Sequence, residues 1–393
     1  MFNFNQLGSA SRNAAYRAVF TNLLNGATVP FYWNGLEPEK GRPRYEPSSA
    51  ADTEAFWNSF DFDNDDPYAF VEWRRPAPGP LLRFCRDHGI SVHGHAMIYH
   101  YCQPEWVFAL SNDVAAVRRA YVDHVKELAR QYGASVPQWD VVNESLNRAS
   151  TKANPDDFGC WYDARRKVTL PPGYTLDAFN AAAETFPGSV RLAINDAWSA
   201  KNDAYGAFIG KLMSQGARID VVGLQMHIFR SAHLMNVASG LPQIANGRSW
   251  QVADVVDHLQ KLDAFGKPIH ISEITIPSPR GLAGLSDEEA DEIQARVMTS
   301  FYRLWFSWPS VDRITYWNLV DGCGAKNERM SSGWFNRDMT PKRAARIMDE
   351  LINKAWKTRI VVKADENGRI AWRGFKGDYR VTSKSDGTKG GKP

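Results

Sequence analysis

"WDVVNES", residues 139–145, sets an apolar run against an amide and an acid. Trp139, Val141 and Val142 have the character of a buried strand, and Asn143 and Glu144 stand at its end. Burying an unpaired carboxylate is costly, so such a strand normally stops before it meets one. A Glu in this place needs partners, or work to do. A second acid, Glu273, stands near the end of another apolar run, "HISEITIPS" (270–278).

Outward from these two runs, strand-like and helix-like stretches alternate along almost the whole chain. Candidate strands cover 2–4, 28–33, 91–100, 137–143, 190–195, 219–228, 268–276 and 313–319. Between them, segments such as 81–90, 117–133, 176–186, 204–216 and 252–266 repeat apolar residues every three or four positions, as amphipathic helices do. Several close on a glycine (Gly89, Gly133, Gly216, Gly266), the residue a helix C-cap prefers. Eight strands with helices between them predict an α/β fold, a (β/α)8 TIM barrel spanning residues 1–356. A long insertion is expected over 47–80. Residues 357–382 read as a small C-terminal β appendage around the turn "DENG", and the polar, Gly/Lys-rich stretch 383–393 as a disordered tail.

Composition narrows the class. The chain has 393 residues, 44% hydrophobic and 23% charged, with a formal net charge of +3. That charge is too small to call for nucleic acid, and no apolar run is long enough to span a membrane. Cys85, Cys102, Cys160 and Cys323 are widely spaced and form no CxxC pair, so neither a zinc knuckle nor a disulfide framework is expected. The N-terminal stretch lacks a basic region followed by an apolar core, so no signal peptide is expected there. With 14 Trp, 14 Tyr and 20 Phe, the chain has either a large aromatic core or a cleft that stacks on flat apolar ligand faces.

In a barrel, chemistry gathers at the C-terminal ends of the strands, where both acids fall. Two carboxylates facing across a barrel mouth suit glycosidic bond cleavage. One protonates the leaving oxygen, and the other attacks the anomeric carbon or activates water. Other polar residues share the layer: His95 and His100, Asn195 and Asp196, Gln225 and His227, with Trp317 at the end of the last strand. Each alone has a plain structural reading, as a bonded core His, a capping Asp or a packed Trp. Together they are hard to explain as packing. His93 and His95 share a strand face, but no carboxylate or third His stands near them at ligand spacing, so neither a metal nor another cofactor is expected.

Taken in order, "GHAMIYH", "WDVVNES", "LAINDAW", "GLQMHI", "ISEITI" and "ITYWN" resemble the strand-end motifs of glycoside hydrolase family 10, the retaining endo-β-1,4-xylanase family of (β/α)8 barrels. The resemblance covers roughly residues 15–355 and implies Glu144 as acid/base and Glu273 as nucleophile. It implies Asn143 beside the sugar 2-hydroxyl, His95, Gln225 and His227 as positioning groups, and Trp317 stacked on a sugar face. Tyr99, Tyr32 and Trp33 join the expected substrate-binding set. The implied substrate is a polysaccharide or oligosaccharide; separately, a monomer is expected. An extracellular or periplasmic place follows from that role alone. A carbohydrate-binding barrel without catalysis is the alternative from another class, and the presence of both acids speaks against it.

The sequence also departs from the family. "LEPEKG" (36–41) matches, with Trp33 in register, but the family's acid, Asn and Lys fall on Thr28, Val29 and Tyr32. A Trp-His-x-Gln pattern becomes Tyr99, His100 and Cys102, and an Asp two residues past the nucleophile becomes Thr275. The charged grip on the more distant sugar is gone, so discrimination among sugars is expected to be looser. Tyr32, Trp33, Trp106 and Trp334 are left as candidate walls of an aromatic cleft.

Overall fold

The structure, a computed structural model, describes residues 1–49, 52–59, 75–146, 161–163, 167–197, 204–229, 231–239, 252–324, 331–375 and 377–382. The parallel strands are β1 (Gly26–Pro30), β2 (Ser91–His95), the short β3 (Ile98–Tyr99) and β4 (Gln138–Asn143). A two-stranded antiparallel ribbon follows, β5 (Trp161–Asp163) and β6 (Val168–Leu170). Then come β7 (Arg191–Ala197), β8 (Val221–His227), β9 (Ile269–Thr275) and β10 (Val311–Tyr316). The ladder runs β1-β2-β4-β7-β8-β9-β10, with β3 alongside β4. Helices fill the crossovers, as parallel strands require. The result is a nearly closed barrel of the predicted class.

The helices form where the apolar period places a stripe. In Val114–Tyr132 the buried residues are Val117, Tyr121, His124, Val125, Leu128, Ala129 and Tyr132, one face of the helix, and Asp113 caps its start by accepting from the Ala116 N–H at 2.9 Å. The long helix Asp287–Ser307 opens on a reciprocal Ser286/Glu289 capping box. All four predicted cap glycines take positive φ, between 45° and 94°.

Several expectations are corrected. Residues 2–4 form a turn, not a strand, yet Phe2 and Phe4 are buried and the Met1 backbone nitrogen donates to the Thr28 carbonyl at 2.5 Å. The segment therefore fills the seam between β10 and β1 with side chains, where no ladder joins those strands among the described residues. The expected strand 28–33 ends at Pro30: the Phe31 N–H still donates to the His95 carbonyl at 2.6 Å, and the chain then turns at Tyr32 into the short helix Trp33–Leu36. The run 91–100 divides into β2 and β3, and Trp317 lies one residue beyond β10. The expected β appendage at 357–382 has its turn, where the Asp365 N–H donates to the Arg369 carbonyl at 2.9 Å. It has no strand among the described residues. Nearly all of its described side chains lie in solvent, so no buried face draws the segment into strands. Residues 60–74 of the insertion and the tail 383–393 lie outside the described residues.

Strand β4 shows how the barrel interior is built. Trp139 points outward against Phe31, Tyr132 and Phe186. Gln138 and Asp140 point inward, where Gln138 meets His270 at 3.2 Å and Asp140 meets His93 and His95. Strict alternation would then turn Asn143 outward. The register against β7 slips instead: Asp140 pairs with Ala193 and Val142 with Ile194, so Val141 is an extra residue. Strand β9 does the same, Leu224 of β8 facing Ile271 and Gln225 facing Glu273, which leaves Ser272 extra. Each bulge lies just before a strand-end acid and brings the following side chains into the mouth.

Candidate active site

Asn143 and Glu144 leave β4 at the barrel mouth. Glu144 takes a left-handed backbone conformation, φ 54°, uncommon for a residue with a Cβ. Its N–H donates to the Asn195 carbonyl at 2.9 Å, and the Leu146 N–H donates to Asp196 Oδ2 at 2.6 Å, so the end of β7 holds the turn in place. Asp196 is buried, and that burial pushes its carboxyl up to about 8 despite the two backbone N–H groups it accepts from.

Three donors converge on the Glu273 carboxylate. Asn195 Nδ2 and Gln225 Nε2 reach Oε1 at 2.8 and 3.0 Å, and His227 Nε2 lies 3.1 Å from Oε2. The same two amides also hold Asn143 Oδ1, at 2.8 and 3.1 Å. Gln225 Nε2 further lies 3.4 Å from Glu144 Oε1, so one amide stands between the two acids. Their facing oxygens can be no farther apart than the sum of its two contacts. Tyr99 donates to Glu144 Oε2 at 3.1 Å, and burial, then the Glu144 charge, raises the phenol's pKa, which keeps it a donor. Gly223 makes room for Asn195: a Cβ there would stand 2.7 Å from Asn195 Oδ1 and 2.8 Å from the Ile194 carbonyl. Ser272, the bulge residue, donates to Asn195 Oδ1 at 2.5 Å.

Beneath this layer lies a buried His-Asp-His set. Asp140 Oδ2 is 2.7 Å from His95 Nδ1 and 3.1 Å from His93 Nε2. Burial alone would push the Asp140 carboxyl up, but the two imidazoles hold it well below the usual carboxylate range. Burial also works against a proton on each ring. It wins at His93, whose pKa is lowered. At His95 the Asp140 hydrogen bond and the Glu273, Asp140 and Glu144 charges outweigh it, and the pKa is raised. His95 therefore turns Nε2 toward Glu273 Oε1, 3.9 Å away, with Nδ1 anchored below. His227 is braced through Nδ1 by the Thr275 hydroxyl at 2.8 Å, a neutral partner that can donate or accept. Among the described residues no group of three His, Cys, Asp or Glu side chains is placed to hold a metal ion.

Comparison with known proteins places the chain. The family model described as glycosyl hydrolase family 10 matches residues 66–350. The chain belongs to glycosyl hydrolase family 10. It is 28% identical over 310 residues to anti-sigma-I factor RsgI6 of Acetivibrio thermocellus, covering 77% of this chain and 34% of that protein. It is 25% identical over 299 residues to endo-1,4-beta-xylanase A of Xylanibacter ruminicola, covering 72% of this chain and 74% of that protein. The chain thus spans about a third of the first relative's length and about three quarters of the second's. Among solved structures, xylanase 10B of Thermotoga petrophila RKU-1 in complex with xylobiose superposes with TM-score 0.61 at 20% identity, covering 89% of this chain and 92% of that one.

In this family 10 barrel, nine of the ten residues expected at the site come together: Glu144, Glu273, Asn143, His95, Gln225, His227, Tyr99, Trp317 and Tyr32. The tenth, Trp33, does not join them. It is buried, donates its indole N–H to Glu37 Oε2 at 2.9 Å, and stacks on His124 at 4.2 Å. Trp334 is likewise core, packed on Tyr302 and Tyr316. Trp106 donates its indole N–H to the Glu37 carbonyl at 3.0 Å and sets its ring edge-on to Trp33. Thr28 and Val29 are buried in the barrel, so Tyr32 is what this end of β1 presents to the mouth. Asn195, part of the strand-end layer but not of the expected binding set, is a central member. Asp140, Ser272 and Phe2 were not foreseen, because bulges and seam packing leave no mark in local sequence pattern.

Proposed function

We propose that the chain hydrolyses β-1,4-xylan or a closely related plant polysaccharide, cutting within the polymer with retention of anomeric configuration. Glu273 attacks the anomeric carbon while Glu144 protonates the departing glycosidic oxygen. Glu144 then takes a proton from water, whose oxygen displaces Glu273 and completes the hydrolysis. One observation carries this reading: a single Gln225 amide contacts both carboxylates, at 3.4 and 3.0 Å. The resulting upper bound on their facing oxygens accommodates the ~5–5.5 Å separation of retaining pairs. The donor set on Glu273 is what a nucleophilic carboxylate needs, and Tyr99 and Gln225 orient Glu144. In this reading Asn143 and His95 face sugar hydroxyls, and Trp317 offers its ring to the sugar's C–H face. The reaction consumes only water and needs no cofactor. The role suits an extracellular or periplasmic monomer.

A second substrate has an observation of its own. The mouth of β1 offers Tyr32 but neither Thr28 nor Val29, which favours the same chemistry on another β-glycan or on short oligosaccharides.

Product analysis on xylan, xylo-oligosaccharides and a panel of β-glycans, with Glu273→Ala as control, tests both. Xylo-oligosaccharides released by the wild type alone are the expected result. Glu273-dependent cleavage of another glycan, with xylan untouched, would replace the substrate and keep the chemistry. Glycan binding without Glu273-dependent turnover would overturn the catalytic reading in favour of a binding barrel.

A further inference from the structure

We infer that Phe2 is a positioning residue for the sugar on the nucleophile's side, seating Tyr32 and Trp317 as one aromatic platform across the seam between β1 and β10. The inference rests on the glycosidase reading above. Tyr32 follows β1 and Trp317 follows β10, and no ladder joins these strands among the described residues. Backbone hydrogen bonds therefore do not set the distance between the two rings. Ring packing does: the Phe2 centroid lies 5.7 Å from Tyr32 and 4.7 Å from Trp317, and His95, 6.1 Å from Phe2, lies 5.5 and 5.6 Å from the same two rings. The Arg75 guanidinium stands 5.0 Å from the same ring. Phe2 is only 5% exposed, whereas Tyr32 and Trp317 are half-buried and keep exposed surface. Phe2 is thus the support behind the platform rather than part of its face.

The platform belongs to Glu273's side of the cleft. Trp317 lies 5.9 Å from His227, which bonds Glu273, and 5.6 Å from His95, whose Nε2 faces Glu273. The nucleophile holds the glycosyl group, so sugars on this side are the ones the platform meets. Among the described residues the chain just after β1 offers these sugars Tyr32 and no charged side chain, so how they seat there follows ring placement, and Phe2 is the buried ring that supports both.

The test compares kcat and KM for aryl β-glycosides of one and of two sugars, in the xylose and glucose series, with Glu273→Ala as the blank. Phe2→Ala should raise KM for the disaccharide glycosides about tenfold and change kcat far less, the signature of lost binding rather than lost chemistry. Phe2→Leu keeps the apolar volume without the ring and should fall between. Unchanged disaccharide KM in either folded variant overturns the inference. So does a loss that falls equally on both glycone lengths or follows the unfolded fraction read by circular dichroism. If Phe2→Ala does not fold, Phe2→Leu decides by the same KM readout. No Glu273-dependent turnover of any of these glycosides by the wild type would overturn the glycosidase reading itself, and this inference with it.

Discussion

The arc from β4 to β9 and the seam between β10 and β1 solve the same problem, placing side chains at a barrel mouth, by different means. Along the arc, continuous ladders and two bulges aim Asn143, Glu144, Asn195, Gln225 and Glu273 into one hydrogen-bonded set. Across the seam no ladder joins the strands among the described residues, and Phe2, Tyr32 and Trp317 hold one another by ring packing. Hydrogen bonds are directional and fix atoms to tenths of an ångström, as acid and nucleophile require. Ring packing fixes surfaces and tolerates change of partner. In the proposed reading, chemistry resides in the first region and choice of sugar in the second, so the sugar preference of this barrel can shift without disturbing the acids.

The sharpest way to break that division is to remove a group from the arc and look for an effect confined to sugar choice. Glu144→Ala should cost roughly 10³-fold or more in kcat on poor leaving groups, but far less on activated aryl glycosides that need no protonation. Equal losses on both would remove Glu144 as the acid. Asn195→Ala, which takes a donor from Glu273 and from Asn143 together, should lower kcat/KM about 10²-fold on every glycone alike. A loss restricted to one sugar would show that the two regions are not separable.

The His-Asp-His set tests whether the arc also carries stability. Asp140→Asn breaks a buried pair and should cost about 3 kcal/mol or more. The sign with pH follows from His95. Its pKa is raised on folding, so its contribution is complete below the ordinary value of 6.5 and is lost as pH rises through the folded value. Asp196, pushed up from 3.8 to about 8, loses stability in the same direction as pH rises through that interval. The readout is therefore the difference between wild type and Asp140→Asn in urea unfolding across pH. It should shrink above the ordinary His value, and a constant difference would count against a charged His95.

A smaller effect is expected outside both regions. Trp33→Phe loses the indole bond to Glu37 and should cost about 1 kcal/mol in unfolding free energy. KM for every glycan should stay within about twofold; a larger rise would put Trp33 back at the cleft.

These contrasts also mark where sequence reading reaches its limit. Glu144, Glu273, Gln225 and His227 were legible because each ends an apolar run, where a polar side chain has no packing reason to be. Trp33 was misread: beside Tyr32 in sequence it is equally aromatic, but the chain turns into a helix at that point and carries it under the barrel wall against His124. Residues 2–4 are a strand by sequence and a turn in the structure. They lie at the right place in the ring in another conformation, because the Met1–Thr28 bond and buried rings hold them without a ladder.

The amino-acid sequence by itself determined the barrel and the identity of its two acids. Hydrophobic periodicity is a local property, and a charge at the end of a buried strand stands out against it. Only the tertiary structure decided which donors meet those acids, how close the carboxylates stand, and what closes the mouth beside them. Those facts depend on one-residue bulges at Val141 and Ser272 and on contacts between segments far apart in the chain, such as Phe2 with Trp317. A bulge reverses the facing of every residue beyond it without changing a letter of the local pattern, so its position emerges only when neighbouring strands pair.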